Sequence, residues 1–579
     1  MKFKCVLSYC LLSALFCVTA CTNLDEDIYS QIVTENYYQD KEDVIAAVVR
    51  PFEHGSWTII HRFTLNEQTS DQLGTWNREG WWVDNGIWQK LHYHTWDFNH
   101  KTIKEEWVNC FQGVTLTNSV IDDLSALDPQ KFGFSDADFD ALIAQSRTLR
   151  AWFYIRLLDA YRNIPLATSK DFSKNSIGQV APEVMFNFIE SELKDALDKL
   201  PVKAGNQGNG VNQGVFNKAG AASLLVRLYL NAEKWIEKPM YNECAAIAQR
   251  ILDGEFGFYE LEKTWDKVFD WTNDQSNEII FGFPSSFSGK HWQYTDHMYW
   301  WCVPRFAHYY FGSVQQGVFN PKYGLQPSFD VEGNPYPFTL GRPVAKYKKY
   351  PEDYRLKMYR NLGNSTREGM MLFGYLEYVD QKTGEIKKVT SPVSNQPIYL
   401  RDQVGDFVGV PPGGVPNNKT SDMTVGEHGS GWQFVKYPIY GDEDAGKQEA
   451  DYAEIRLAEI YYSLAECKFR NGDIDEAAVL LNQVRKRNYP VEYHSEYLYV
   501  PEGKAVLTQE ELIDEWGREF LGEGRRRTDL CRWNLFSTGT WWDKTPDPDN
   551  HTDIMPIHKD LLGADLSLVQ NPGYEQLQQ

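Results

Sequence analysis

Hydrophobic residues recur at helical spacing in two separate blocks of the chain. In the first block, Leu142, Leu149, Phe153 and Leu157 are four or seven residues apart, so their side chains share one helix face. The first block as a whole predicts helices over residues 139–161, 182–200, 216–235 and 241–252. The second block predicts helices over residues 451–488 and 508–533. The pattern therefore indicates a mostly α-helical chain.

A helix–turn–helix pattern in the second block matches a tetratricopeptide repeat. Leu464 and Ala465 precede a turn at Gly472, and Leu481 and Val484 follow it at helical spacing. Small residues let two antiparallel helices approach closely, and glycine lets the chain reverse. One such repeat cannot bury its own apolar face, so several must stack. The other helix pairs are then degenerate copies of the same unit.

Between the two blocks, periodicity is weak from about residue 254 to residue 446. Gly, Pro, Asn and aromatic residues dominate there, and residues 411–416 read Pro-Pro-Gly-Gly-Val-Pro, a clear loop. So long an irregular stretch usually carries function. We therefore expect one domain over residues 21–579. Helical repeats lie mainly in 40–253 and 451–535, and a loop-rich lobe with few short strands covers about 254–450.

The N-terminus has the layout of a lipoprotein signal peptide. Lys2 and Lys4 precede an apolar run over residues 5–16, and Val-Thr-Ala-Cys follows at residues 18–21. This resembles a bacterial lipobox, in which residues 1–20 are removed and Cys21 is acylated; an ordinary signal peptide cut elsewhere is the alternative. Residues 22–27 read Thr-Asn-Leu-Asp-Glu-Asp, and this short acidic stretch resembles a surface-export signal or forms a solvated linker. No later window is long and apolar enough to predict a transmembrane helix.

Charge and cysteine content exclude several classes of function. The formal net charge is −22, which repels nucleic-acid phosphates and anionic lipid surfaces and makes neutral ligands easier to accommodate. Behind Cys21, five cysteines remain, without the spacing of a zinc site or a disulfide framework. We therefore expect buried thiols. They are Cys110, Cys244, Cys302, Cys467 and Cys531.

No catalytic or metal-binding motif is recognisable. The chain lacks a GxSxG elbow, a phosphate-binding glycine loop or a dinucleotide fingerprint in the required context. His92, His94 and His100 lie close together, but without an HExxH pattern they are expected to be structural. We predict neither a metal, nor a cofactor, nor a catalytic residue.

Two segments carry the residue types that bind sugars. A sugar ring lays its C–H face on an aromatic ring while amides, carboxylates and Arg hold its hydroxyls. Residues 71–99 and 291–311 combine several tryptophans with such polar groups, and glycines break any long helix in the first segment. The expected stacking rings are Trp76, Trp81, Trp82, Trp292, Tyr294, Trp300 and Trp301. The expected hydroxyl partners are Asp71, Asn77, Arg78 and Asp296. Within each adjacent pair, 81–82 and 300–301, we expect at least one exposed ring.

Four motifs along the chain resemble the SusD-like (RagB/SusD) family. They are RTLRAWFY at 147–154, DYAEIRLAE at 451–459, EFLGEGRRRTDLCRW at 519–533, and Pro556-Ile557 followed by QNPGY at 570–574. The resemblance implies about four tetratricopeptide-like helix pairs packed against a variable lobe. It also implies a noncatalytic surface lipoprotein of the outer membrane that captures oligosaccharides for a SusC-like TonB-dependent transporter. Family members place ligand-contacting aromatics in loops at comparable points of the chain.

Two other functions stay open at the level of sequence. The family includes relatives linked to peptide or protein uptake, so a peptide-capturing lid of a transporter is one alternative. A surface glycoside hydrolase is the other, since the 80 acidic residues neither supply nor deny a catalytic pair. The run Arg525-Arg526-Arg527 lies among acidic residues, and we expect it to form internal ion pairs rather than an anion site.

Overall fold

The computed structural model describes residues 37–170, 176–203, 214–285, 300–313, 319–442 and 449–576. Its α-helices are α1 Lys41–Gln68, α2 Ile87–His92, α3 Lys101–Ser125, α4 Asp136–Tyr161, α5 Pro182–Lys199, α6 Lys218–Leu230, α7 Ala232–Ile236, α8 Tyr241–Leu252, α9 Pro343–Lys348, α10 Leu457–Arg470, α11 Ile474–Arg485, α12 His494–Tyr497, α13 Gln509–Glu519, α14 Arg526–Arg532 and α15 Lys559–Ala564. The predicted mostly α-helical fold class is confirmed. The signal peptide and Cys21 lie outside the described residues.

The long helices pack in chain order into one continuous array. Helix α1 packs on α3, α3 on α4, α4 on α5, α5 on α6, α6 on α8, α8 on α10 and α10 on α11. The array can be read as four successive helix pairs, α1/α3, α4/α5, α6/α8 and α10/α11. Side-chain caps begin several helices: Asp40 accepts from Asp43 N–H at 3.0 Å, and Ser135 accepts from Asp138 N–H at 3.1 Å. The core lies along the faces that successive helices share.

Helices α3 and α4 approach each other closely because Gly113 has no side chain. A Cβ built at Gly113 meets the Phe153 ring at 2.2 Å, which no real contact allows. The aromatic ring of α4 therefore occupies the space that a side chain on α3 would fill.

Replacing Gly113 with alanine should lower the free energy of unfolding by about 1–3 kcal/mol, because the ring of Phe153 must move in a packed core. Chemical denaturation followed by circular dichroism measures this. Gly563→Ala in α15 is the matched control, since its Cβ has nothing within 4 Å. The control should be neutral or slightly stabilising, because alanine has the better helix propensity. Equal losses in both variants would contradict the close approach of α3 and α4.

The strands of the described residues form two-stranded antiparallel pairs rather than a large sheet. Their bounds are β1 Leu73–Gly74, β2 Ile164–Ala167, β3 Ser176–Val180, β4 Ile279–Phe283, β5 Gly324–Leu325, β6 Arg360–Gly363, β7 Thr366–Glu368, β8 Met371–Leu372, β9 Gly374–Tyr375, β10 Glu377–Val379, β11 Ile386–Lys388, β12 Tyr399–Leu400, β13 Gln433–Phe434 and β14 Tyr452–Arg456. Ten of them, from β4 to β13, lie in the expected irregular lobe. Strand β1 pairs with β5 and thereby ties the segment after α1 to that lobe.

The predicted helix over residues 451–488 is wrong at its beginning. Residues Tyr452–Arg456 are strand β14, paired with β4 and buried along its whole length. The apolar residues of β14 alternate with Glu454 and Arg456, and these two charged side chains are paired inside the protein. Periodicity alone could not separate this strand from the helix that follows it without a break.

The basic run after α13 forms internal ion pairs, as predicted. Arg525 pairs with Asp529 at 3.2 Å, Arg526 with Asp71 at 2.6 Å, and Arg527 with Asp159 at 3.0 Å. Arg526 and Arg527 are fully buried. These arginines hold α14 against α1 and α4 and leave no free cationic patch there.

The five cysteines behind Cys21 are buried free thiols, as predicted. Burial raises the pKa of the Cys531 thiol to about 12, so it stays protonated and acts as a small apolar side chain. Within the ranges described above, no helix is both long and apolar enough to cross a bilayer.

Candidate functional site

Trp81 and Trp82 follow a tight hairpin turn. The backbone N–H of Trp81 donates to Arg78 O at 3.0 Å, and Arg78 N–H donates to Trp81 O at 3.1 Å. Between them, Glu79 and Gly80 have φ angles of 50° and 91°. Two positive φ angles in a row are what a type I′ turn requires. This turn fixes the point at which the chain presents the two indoles.

Asn77 holds the turn against the lobe. Its Nδ2 donates to Thr424 O at 3.0 Å, and its Oδ1 accepts from Gly80 N–H at 2.8 Å. Its backbone N–H donates to Met423 O at 3.0 Å. Both polar atoms of this half-buried side chain thus have partners within the protein. Its expected role as a hydroxyl partner remains a prediction, and the structure gives it a positioning role.

The backbone stays in unusual conformations beyond the turn. Trp82, Asp84 and Asn85 have φ angles of 63°, 36° and 53°. A bulky residue such as Trp at positive φ is an outlier. Each such residue costs on the order of 1–3 kcal/mol, and such strain clusters at binding and catalytic sites. The strain here falls on the segment that carries the indoles.

Trp81 and Trp82 are half-buried, and neither packs against a hydrophobic core cluster. The Trp81 ring meets His428 edge to face at 5.1 Å, and the Arg305 guanidinium lies 4.9 Å from its centroid. Burial lowers the pKa of His428 to about 3, so this ring is neutral. Trp82 has no aromatic or cation contact within the described part of the chain. Of these two indoles, Trp82 has the fewer ring and cation contacts, although its Nε1 is enclosed by protein without a hydrogen-bond partner.

The second aromatic segment contributes one half-buried indole. Trp301 is half-buried, whereas Trp300 is only 8% exposed and stacks on Phe319 at 5.6 Å. Trp301 is the more exposed ring of this pair, but it packs against the hydrophobic core. Trp300 itself was expected to be a stacking platform, and that prediction is wrong, because its face is covered by Phe319.

Lys322 joins the two aromatic segments. Its Nζ lies 4.3 Å from the centroid of Trp88 and 4.0 Å from that of Trp301. Trp88 is half-buried, and its Nε1 donates to Asp84 at 2.6 Å. Arg305, which follows Trp301, already contacts Trp81. Segments about 220 residues apart in sequence therefore form one surface. We define the tryptophan surface as Trp81, Trp82, Trp88 and Trp301 with Arg305 and Lys322.

Asp71 was expected to bind a ligand hydroxyl, and the structure contradicts this. The side chain is fully buried, and its carboxylate accepts from Arg526 at 2.6 and 3.0 Å and from Gly341 N–H at 2.8 Å. Despite burial, the neighbouring Arg526 and Lys346 cations hold the pKa of Asp71 well below its usual value. Asp71 is a structural ion-pair residue because its oxygens are already occupied out of reach of solvent.

Trp76 and Arg78 were expected to be ligand contacts, and both are fully buried. The Trp76 ring is enclosed by glycines: a Cβ at Gly324 would lie 2.4 Å from it. Arg78 lies over the Trp76 ring at 4.4 Å and donates to Ser430 O at 2.6 Å. Burial lowers the pKa of Arg78 to about 9. These two side chains support the turn from beneath and cannot stack on a sugar.

Three further predicted contacts lie outside the described residues: Trp292, Tyr294 and Asp296.

Sequence reasoning missed Lys322 as part of the site. It lies outside both aromatic segments, and it arrives there because Cys302 and Pro321 form an antiparallel bridge and Tyr323 N–H donates to Trp301 O at 2.8 Å. No sequence signal reveals this pairing. Trp88 lies in the first aromatic segment, but nothing in the sequence indicated that it would lie near the second aromatic segment.

Two cavities elsewhere in the described residues have different characters. One, of about 90 Å³, lies inside the helical scaffold among arginines that are paired with Glu454 and Glu459. It is too small for a sugar ring. The other is an open cavity of about 460 Å³ in the lobe, lined by Tyr310, Met358, Arg360, Asn361, Tyr375 and Glu377. It also combines rings with polar groups.

The three clustered histidines are hydrogen-bonded within the protein, as expected. His92 contacts Asp543 at 2.5 Å, His94 contacts Asp547 at 2.7 Å, and His100 contacts Ile87 O at 3.2 Å. Among the described residues, no group of three or more His, Cys, Asp or Glu side chains is arranged to hold a metal ion.

Family models match two separate parts of the chain. Residues 412–574 match a model described as the SusD family, and residues 24–230 match one described as "Starch-binding associating with outer membrane". Among curated proteins, the chain is similar to starch-binding protein SusD of Bacteroides thetaiotaomicron. The identity is 25% over 538 residues, covering 89% of this chain and 85% of SusD.

Solved structures share the fold at low sequence identity. A SusD homologue from Bacteroides thetaiotaomicron has a TM-score of 0.66 at 16% identity and covers 93% of this chain and 98% of its own. A laminarin-binding SusD-like protein has a TM-score of 0.61 at 19% identity, with 93% and 100% covered. NanU from B. fragilis has a TM-score of 0.64 at 16% identity, with 94% and 99% covered. These likenesses establish the architecture of scaffold and lobe.

Proposed function

Because the chain belongs to the SusD-like family, we propose that it is a cell-surface glycan-binding protein without catalytic activity. It captures oligosaccharides or polysaccharides and delivers them to a SusC-like TonB-dependent transporter. The observation that carries the binding role is the tryptophan surface, with half-buried indoles that two distant segments bring together.

The chemistry of this surface suits a sugar. The C–H face of a pyranose ring loses water when it stacks on an indole, and this favours binding. Trp82 offers such a ring outside the core clusters, on a segment with a strained backbone. Asn77 holds this segment, and so does Glu79, because its carboxylate accepts a hydrogen bond from Ser391 at 3.0 Å. Rigid placement lowers the entropy lost on binding. Hydroxyl groups would meet the N–H donors of Arg305 and Lys322.

The absence of catalysis is proposed on similarity. The curated relative is named as a starch-binding protein, and one structural neighbour as a laminarin-binding protein. No cofactor is needed for binding of this kind. The negative net charge of −22 argues against nucleic acid as a ligand.

The place of action is proposed from the N-terminal sequence and from the family. A lipid on Cys21 would hold the protein at the outer membrane, facing the extracellular side, and the family model that matches residues 24–230 is described as associating with the outer membrane. Several acyl chains give stable anchoring without a membrane-spanning helix. Delivery to a SusC-like transporter rests on the family resemblance.

A panel of polysaccharides tests the proposal. Purified protein should be retarded in native gels that contain at least one of starch, laminarin, mannan, polygalacturonate, alginate, hyaluronan or chondroitin sulfate, and should release no reducing ends from any of them. Release of sugar would establish a hydrolase instead. Binding of peptides, with no polysaccharide bound, would favour the peptide-capturing lid.

A further inference from the structure

Lys322 is a buried cation held between aromatic rings. The residue is 6% exposed, and its Nζ lies 4.3, 4.0 and 5.1 Å from the centroids of Trp88, Trp301 and Tyr323. Ring faces attract a cation but accept no strong hydrogen bond from it. Three N–H donors are therefore gathered at the tryptophan surface.

Other buried lysines of the described chain have oxygen acceptors. Lys544 pairs with Asp547 at 2.9 Å, and Lys436 donates to Leu521 O at 2.9 Å. Lys203 donates to Asn277 at 3.0 Å. Lys322 has no such oxygen among the described residues. Most of the Lys322 side chain is buried, but its Nζ is not an enclosed atom, so water or a ligand group can contact the ammonium.

The nearby carboxylates are engaged elsewhere. Asp84 and Glu105 are the acidic groups that act on Lys322. Asp84 accepts from the Nε1 of Trp88, and Glu105 lies 3.4 Å from Lys101 and 3.7 Å from His61. Burial prevails over their attraction and lowers the pKa of Lys322 to about 7. Arg305, the second cation of the surface, lies on the Trp81 ring and has no carboxylate within ion-pair distance in the described part.

We propose that the tryptophan surface binds an acidic glycan, whose carboxylate or sulfate group pairs with Lys322 while its rings stack on the indoles. This inference rests on the proposed glycan-binding function and specifies the class of ligand. An anion supplies the oxygen acceptors that Lys322 lacks. The net charge of −22 weakens the binding of any polyanion, so the anion of the glycan must reach the local cations Lys322 and Arg305, which act within the Debye length of about 8 Å.

The first test compares each acidic polysaccharide that binds with its own uncharged form. Polygalacturonate and alginate are carboxyl-reduced, and chondroitin sulfate is tested with its sulfates removed and, separately, with its carboxyls reduced. Loss of affinity of at least about tenfold is expected when the responsible anion is removed, and the two chondroitin arms distinguish sulfate from carboxylate. Equal affinity for charged and uncharged forms, or binding of neutral members alone, would overturn the inference.

The second test removes the cation. Lys322→Met keeps the apolar length of the side chain between the rings, so we expect an unchanged or higher melting temperature with at least tenfold weaker acidic-glycan binding by calorimetry. Wild-type affinity should also fall as pH rises above about 7, since the free ammonium loses its proton there, and the variant should lose this dependence. Lys348→Met is the matched control, because Lys348 lies 4.6 Å over the Trp432 ring elsewhere in the lobe.

The glycan-binding function and the acidic class of ligand can be rejected separately. If Trp82→Ala abolishes binding while Lys322→Met leaves it unchanged, the glycan-binding function stands and the acidic class is rejected. If no polysaccharide binds at all, both are rejected.

Discussion

Replacing Trp82 with alanine should weaken glycan binding at least about tenfold while the protein stays folded. Covering a large aromatic side chain is worth about 1.5–3 kcal/mol, and the ring of Trp82 is only half-buried before a ligand arrives. Losing about 1.4 kcal/mol of that contact changes the dissociation constant tenfold. Because Trp82 packs against no core cluster, the free energy of unfolding of the variant should lie within about 1 kcal/mol of the wild-type value.

The control for this prediction is another tryptophan. Trp57 on α1 is 48% exposed and lies in the helical scaffold. Trp57→Ala should leave affinity unchanged in the same calorimetric titration. Equal loss in both variants, or no loss in Trp82→Ala, would contradict the assignment of Trp82 as a stacking platform.

Asp71→Ala should destabilise the protein by about 3–5 kcal/mol, because it leaves Arg526 buried without its partner. Lys346, 3.8 Å from the same carboxylate, would then face that arginine across the gap. Denaturant unfolding measures the loss. Glycan affinity of the remaining folded molecules should not change, because Asp71 cannot reach a ligand. Specific loss of affinity with normal stability would restore Asp71 as a binding residue.

A surface ion pair provides the control for Asp71. Lys104 and Asp560 are 2.6 Å apart, but their side chains are 34% and 52% exposed. Asp560→Ala should cost much less stability than Asp71→Ala, since water solvates the lysine that remains.

At acid pH, the free energies of unfolding of the wild type and of Asp71→Ala should differ less than at neutral pH. The folded-state pKa of Asp71 lies below its unfolded value. Its stabilising contribution is therefore fully present above the unfolded pKa near 4 and is lost as pH falls toward the folded pKa. Denaturant unfolding of both proteins at pH 7 and at pH 3 should give a smaller difference in the free energy of unfolding at pH 3.

Helices α5 and α8 were readable from sequence because they carry clear apolar stripes. Helices α4 and α6 are buried on nearly every side over most of their length, and their long apolar runs predicted them. Helix α1 gave a weaker signal: Pro51 and Gly55 lie inside it, and both residue types lower helix propensity. Strand β14 was hidden for a different reason. It runs straight into α10, and its charged residues are buried by partners on distant elements that a local pattern does not contain.

The sequence predicted which segments and residue types form the site, but it did not predict which of their side chains are buried. Aromatic clustering identified both segments, yet it could not distinguish Trp82 from Trp76, which glycines enclose, or Trp301 from Trp300, which Phe319 covers. Asp71 and Arg78 looked like sugar-binding groups because their partners lie hundreds of residues away along the chain. Burial depends on tertiary contacts, and residue type alone does not determine it.

A crystal structure of the protein with a bound oligosaccharide from the panel would decide where the glycan binds. We expect a sugar ring stacked on the indole of Trp82, with further ligand atoms within hydrogen-bond distance of Arg305 or Lys322. Ligand bound only elsewhere, for example in the open cavity at Tyr310 and Tyr375, with the tryptophan surface bare, would contradict this expectation.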